Sequence, residues 1–249
     1  MWNMLVDVHC HIDMCKHPAQ EVVNKDMLII TNGTNLASNK KVLAYAKLFP
    51  NVKAALGLFP LEIVKMSNKE VQENLKFIED NRDEIIALGE VGIDFKWCED
   101  EKERKKQVEV FKKIVKLANK IKKPLIVHSW KAMPEVLELL KPAKVPVIMH
   151  CFEGNLQLTE QAVKQGYYFT IPANFWTRKG FKNVAKRAPM DRLLTETDSP
   201  YLSPTEEENK PENVRYAIDK LAEIRGLTKA EVENQIYANA KKCLLISKH

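Results

Sequence analysis

Apolar residues along this chain fall into two kinds of run that alternate from end to end. Short runs, mostly rich in β-branched residues, lie at Met4–Val8, Met27–Thr31, Val52–Leu56, Ile85–Gly89, Pro124–Val127, Val145–Met149, Tyr167–Ile171 and Arg192–Glu196. Most lack an apolar–polar alternation, as parallel strands covered on both faces do. Longer amphipathic runs separate them, at Leu36–Phe49, Val71–Asn81, Glu101–Lys123, Glu135–Leu140, Leu156–Gln165, Lys179–Lys186, Pro211–Arg225 and Lys229–Leu245. In the longest, Val108, Phe111, Val115 and Ala118 form one apolar stripe and lysines fill a solvated face. Eight strands, each followed by helical material, predict an α/β fold, a (β/α)8 TIM barrel forming a single domain over residues 1–249.

Composition narrows this picture only a little. The formal charge of +6 comes from 39 basic and 33 acidic residues, an interspersed excess that permits an anionic partner without demanding one. The five cysteines, Cys10, Cys15, Cys98, Cys151 and Cys243, make no CxxC pair and leave one over. That argues against a disulfide framework and for a reducing compartment. The apolar run near Met1 is short and carries Asp7, and no run is long enough to span a bilayer. A cytoplasmic protein is expected, with no membrane association and no obligate protein partner.

Chemistry enters with the histidines. His9 and His11 close the first strand, His128 ends "KPLIVH" and His150 ends "VPVIMH"; Glu90 ends "IIALGE" and Asp198 follows "LLTET". In a (β/α)8 barrel the carboxyl ends of the strands share one mouth, so six residues distant in sequence converge there. His9 and His11 share a face because strand side chains alternate with period two. Any one of the six alone reads as a hydrogen-bonded structural residue or a helix cap. Together they would crowd unpaired polar groups into one mouth unless a cation held them. Imidazole and carboxylate without a thiolate pair suit Zn, Mn, Fe or Mg. Six side chains exceed what one catalytic ion with an open position takes, so two divalent ions are expected, bridged by Glu90. Two such ions balanced by two carboxylates and a hydroxide retain about one positive charge, which favours an anionic reacting group such as a phosphodiester. Asp198 is placed to orient the attacking water and take its proton.

Five segments in order, "DVHCHID", "ALGEVGIDF", "KPLIVHS", "MHCFEG" and "LLTETDSPYLSP", resemble the TatD family of metal-dependent hydrolases in the amidohydrolase superfamily. The tail segments "KPENVRYAIDKLAEIRG" and "NQIYANAKKCL" extend the likeness. The resemblance implies a TIM barrel and metal-dependent deoxyribonuclease activity, often of the 3′-exonuclease type. It maps His9, His11, Glu90 and Asp198 to one metal, and Glu90, His128 and His150 to a second.

Three departures from the family pattern touch the shell around the metals. Phe59 stands in "GLFP" where the family commonly has a histidine, and Ser129, Trp130 and Lys131 replace Ser-Arg-Asp. Glu206, Glu207 and Glu208 make the loop after strand 8 acidic, a rim that would repel a polyanion unless Lys131, Arg178 or Lys179 offset it. Trp130 is a candidate base-stacking residue, and "NFWTRKG", Asn174 to Gly180, is a candidate phosphate or base contact. Phe59 is expected to pack under a loop, Cys10 and Cys151 to point into core, and Asp7 to orient neighbours from deeper in the strand. The expected substrate is DNA, single-stranded or at 3′ ends; the alternative is a small amide, ester or lactone. A metal-binding protein without turnover is a third, weaker reading.

Overall fold

Each predicted strand position is a strand in the structure, a computed structural model that describes residues 4–246. The strands are β1 (Leu5–Cys10), β2 (Met27–Asn32), β3 (Val52–Leu58), β4 (Ile85–Asp94), β5 (Leu125–Trp130), β6 (Val147–Met149), β7 (Tyr168–Pro172) and β8 (Leu193–Glu196). They pair in parallel and in chain order, making the eight-stranded sheet of a (β/α)8 barrel. Six of them, β1, β2, β5, β6, β7 and β8, are buried along their length apart from Trp130 at the end of β5. This is why their sequences lack alternation: one face fills the barrel and the other lies under helices.

The helices are α1 (Ala19–Val22), α2 (Leu36–Leu48), α3 (Pro60–Lys65), α4 (Asn68–Asp80), α5 (Glu101–Ile121), α6 (Met133–Leu139), α7 (Leu156–Lys164), α8 (Lys179–Arg187), α9 (Val214–Arg225) and α10 (Lys229–Cys243). Two of these, α1 and α3, escape the periodicity reading because one or two turns are too short to repeat a stripe. Helix α4 begins before its apolar stripe, where the Ser67 side chain and Glu70 form a capping box. On α5 the buried face is Gln107, Val110, Phe111, Ile114, Val115, Leu117 and Ala118, so the stripe is broader than predicted and Val108 sits at its margin. Among the described residues, no helix is long and apolar enough to cross a membrane.

Two local irregularities place the mouth. Strand β4 does not stop at Gly89, as its apolar run suggests, but continues to Asp94 with shifts of register against both neighbours. Glu90 therefore lies inside a strand rather than at its tip. A Cβ at Gly57 of β3 would overlap the Glu90 backbone, and one at Gly92 would overlap the His128 carbonyl. Gly92 also has φ +145°, a conformation that side chains disfavour. The glycines thus let three strands close around Glu90.

The second irregularity is the seam between β8 and β1. The Thr195 hydroxyl donates to the Val6 carbonyl at 2.5 Å, and the Asp7 carboxylate accepts from the Thr197 N–H at 3.0 Å and hydroxyl at 2.5 Å. Beyond them the Asp198 N–H donates to the His9 carbonyl at 2.9 Å, and the His11 N–H to the Ser199 carbonyl at 2.7 Å. Burial pushes the Asp7 carboxyl well above its usual range despite these bonds. Asp7 accordingly orients backbone across the seam and touches no imidazole nitrogen.

Asn39 of α2 is fully buried and exchanges two hydrogen bonds with the Gly57 backbone, accepting from N–H at 3.0 Å and donating to C=O at 2.9 Å. Asn39→Ala leaves both peptide groups unpaired and is expected to lower unfolding free energy by about 3 kcal/mol in urea titration. An unchanged midpoint would contradict that role.

Candidate metal centre

Four of the other five sequence-selected residues meet within a few ångströms of the Glu90 carboxylate. Its Oε2 lies 3.3 Å from His11 Nε2 and 3.7 Å from His9 Nε2. Its Oε1 lies 3.0 Å from His128 Nδ1 and 3.7 Å from His150 Nε2. Asp198 Oδ1, the sixth, sits 3.4 Å from His9 Nε2 and 3.5 Å from His11 Nε2. These atoms fall into overlapping ligand groups: His9, His11 and Glu90; His9, His150 and Asp198; Glu90, His128 and His150. The His9 and His150 rings stack at 3.6 Å, and the Nε2 atoms of His9 and His11 approach to 3.2 Å. The Asp198 side chain is 17% exposed, whereas that of His9 is fully buried. Of these two, Asp198 is the one that solvent can reach.

Three imidazoles have their outward nitrogen fixed from behind. His11 Nδ1 faces the Asn32 carbonyl at 2.9 Å, so Nδ1 carries a proton and Nε2 is the nitrogen turned to the centre. His150 Nδ1 donates to Glu196 Oε2 at 2.6 Å, again freeing Nε2. His128 is turned the other way: Nε2 donates to Asp94 Oδ2 at 3.0 Å and Nδ1 faces Glu90. Carbonyl and carboxylate acceptors behind a histidine set its tautomer and raise its basicity, the arrangement found behind metal-ligating histidines. His9 is the exception, since its buried Nδ1 has no protein partner.

Glu196 and Asp94 are extensively bonded. Glu196 Oε1 accepts from the Cys151 N–H at 3.1 Å and lies 3.0 Å from Cys151 Sγ. Asp94 Oδ1 accepts from Lys96 N–H at 2.8 Å and Trp97 N–H at 3.0 Å, while its own N–H is held by Gln107 of α5 at 2.9 Å. Both carboxylates lie within the quoted motifs, yet the sequence reading passed over them. Each ends a strand, β4 or β8, the position where barrel topology places mouth residues.

The protein's own charges pair within the cluster. Burial works against ionised Glu90, yet hydrogen bonds from His11 and His128 outweigh it and hold the carboxyl well below its usual range. Burial likewise opposes charge on His128, but the bonds to Asp94 and Glu90 lift it to about 9. His11 is held well above its ordinary value against burial by Asp198 and Glu90. His9 moves down, through burial and then the neighbouring His150.

Above these groups opens a cavity of about 650 Å³. Trp130 and Arg178, two of the expected substrate contacts, line it. Lys131, the third, does not: it is exposed, with φ +56° turning the chain away after β5. Glu206, Glu207 and Glu208 are also absent from the lining, and Glu208 instead accepts from the Lys16 N–H at 2.9 Å. The acidic rim expected from sequence is therefore not part of the cavity wall. Within "NFWTRKG", Phe175 is buried and Arg178 alone reaches the cavity. Cys10 is core, as expected, but Cys151 is partly exposed and lines the cavity, a correction caused by its φ of +43° just past β6. Phe59 packs edge-on to His128 at 5.2 Å between ring centres and also lines the cavity.

The family model described as TatD related DNase matches residues 6–245. The chain belongs to the TatD family. It is 32% identical to an uncharacterized metal-dependent hydrolase of Methanocaldococcus jannaschii, over 95% of each chain. It is 25% identical to the human deoxyribonuclease TATDN3, over 96% of this chain and 93% of that one. The crystal structure of a TatD homolog from Escherichia coli K12 superposes with a TM-score of 0.88 at 26% identity, covering 99% of this chain and 100% of the other. Membership places the TatD-family chain among metal-dependent hydrolases.

An ion entering the centre needs lone pairs that His11 and His128 hold protonated at neutral pH. Mn²⁺ or Zn²⁺ uptake at pH 7 is therefore expected to release at least one proton, and affinity to rise with pH up to about 9, where His128 titrates. Calorimetry in buffers of different ionisation enthalpy measures this directly; uptake without proton release would contradict it.

Proposed function

We propose that this TatD-family protein hydrolyses phosphodiester bonds at DNA ends with two divalent ions, acting as a 3′-exonuclease on single strands. His9, His11, Glu90 and Asp198 would hold one ion, and Glu90, His128 and His150 the other. The donor set of imidazole nitrogens and carboxylate oxygens fits Mg, Mn or Zn. One observation carries the reading: the two Glu90 oxygens divide between two imidazole pairs, Oε2 toward His9 and His11, Oε1 toward His128 and His150. A buried carboxylate split in this way suits a bridge between two cations, whose place the protonated imidazoles of His11 and His128 take in their absence.

Divalent ions, when bound, supply Lewis acidity to the phosphoryl group and acidify water. The remaining work falls to the chain. Asp198 is the ligand candidate most open to the cavity, and its carboxylate is kept ionised by hydrogen bonds from His11 and His9 against the effect of burial. It is placed to accept a proton from attacking water. Glu196, Asp94 and the Asn32 carbonyl hold three imidazoles in one tautomer throughout. Trp130 and Arg178 are available to the departing nucleotide. The relatives named deoxyribonuclease support a nucleic-acid substrate.

With Mg²⁺, Mn²⁺ or Zn²⁺ the protein is expected to release nucleotides from the 3′ ends of single-stranded DNA, and chelation to stop it. Asp198→Asn should slow turnover about 10²–10⁴-fold, and Glu90→Ala should remove activity together with tight metal binding. DNA ends left intact, beside hydrolysis of small amides, esters or lactones, would replace the phosphodiester by those bonds.

A further inference from the structure

The cavity wall has a chemistry that neither the ligand cluster nor the family likeness specifies. Beside the metal centre stands an aromatic corner. Trp97 is 63% exposed and meets Trp130 edge-on, at 6.0 Å between ring centres. Exposing a tryptophan on this scale is unusual for a residue with a packing role. Its position is nevertheless fixed, because the Trp97 and Lys96 N–H groups donate to Asp94, whose other oxygen holds His128. The loop that presents the indole is thus tied to the metal centre itself. The Lys96 ammonium lies 5.0 Å over the Trp97 ring.

Cations are scarce by contrast. Among the described residues that line the cavity, Arg178 is the one lysine or arginine, and it is already ion-paired with Glu153. Nearby, Lys65 pairs with Glu62 at 2.7 Å, and Glu62 and Glu153 both line the wall. A groove that tracks a polynucleotide combines stacking platforms with a series of free cations along the backbone. Here one platform is present and the series is missing. The volume of about 650 Å³ also suits one small ligand better than an extended strand.

We infer that the mouth binds a single terminal nucleoside on the Trp97–Trp130 corner, and that the preferred substrates are short diesters such as dinucleotides rather than long strands. This rests on the phosphodiesterase reading above. Trp97 is a binding residue in this scheme, contacting the base while Asp94 sets its distance from the ions. Beyond the first nucleotide a longer strand gains little, since Lys96 already sits over the Trp97 ring and no described residue lining the cavity adds a lysine or arginine free of an ion pair.

The test compares a deoxydinucleotide with a single-stranded oligonucleotide of about twenty bases, using metal-loaded enzyme across a range of salt concentrations. The dinucleotide is expected to equal or exceed the oligonucleotide in kcat/KM per end, with a salt exponent no steeper than about −0.7, as its single phosphate would give. Trp97→Ala should raise KM about tenfold with kcat nearly unchanged, and Trp97→Phe should restore most of the loss. Because Trp97 is largely exposed, the replacement does not threaten folding. An oligonucleotide preferred by more than about tenfold with a steep salt exponent, or an unaltered KM in Trp97→Ala, would overturn the inference and leave phosphodiester hydrolysis standing. Failure to cleave either substrate would overturn both.

Discussion

A carboxylate shared between two pairs of imidazoles governs the rest of this molecule. Glu90 is almost wholly buried, remains ionised, and has a different histidine pair facing each oxygen. Such a charge is tolerable in the interior only when cations or strong donors surround it. The barrel supplies the surroundings. Glycines at 57 and 92 let β3 and β5 close on β4, Asn39 substitutes for a missing ladder partner at Gly57, and the Glu90 N–H finds the Gly33 carbonyl at 3.0 Å. The irregular register of β4 is thus the local cost of aiming one side chain along the barrel axis.

Around that carboxylate, rigidity is transmitted outward by hydrogen bonds rather than by apolar packing alone. Gln107 of α5 fixes Asp94, Asp94 fixes His128, and the same carboxylate fixes the loop bearing Trp97. On the opposite side the Asp7–Thr197 seam sets β8 against β1, which aligns Asp198 with His9 and His11. Helix, metal centre and cavity wall are therefore linked through two buried aspartates that are not themselves among the proposed ligands. Mutating either would disturb several parts at once, which is characteristic of polar networks.

Much of the fold was legible because burial on both strand faces leaves an unmistakable sequence trace, and all eight runs became strands. The mouth was legible because barrel topology converts strand-end position into proximity, so His9, His11, Glu90, His128, His150 and Asp198 could be grouped without knowing a single distance. What escaped depended on direction rather than on residue type. Asp94 and Glu196 looked like ordinary strand-end acids until the structure showed which nitrogen each faces. Cys151 was placed by strand alternation and Lys131 by its charge beside a strand-end histidine, but both have positive φ just beyond their strands, which turns each away from the expected direction. Trp97 lies in a short loop with no pattern to mark it.

Crystals of the Mn²⁺-loaded protein, measured for anomalous scattering, test the bridging role of Glu90 most directly. Two peaks about 3.5–4 Å apart are expected, one beside His9, His11 and Asp198 and one beside His128 and His150, with a Glu90 oxygen on each. A single peak at saturating Mn²⁺, with Glu90 touching it through one oxygen only, would contradict that role.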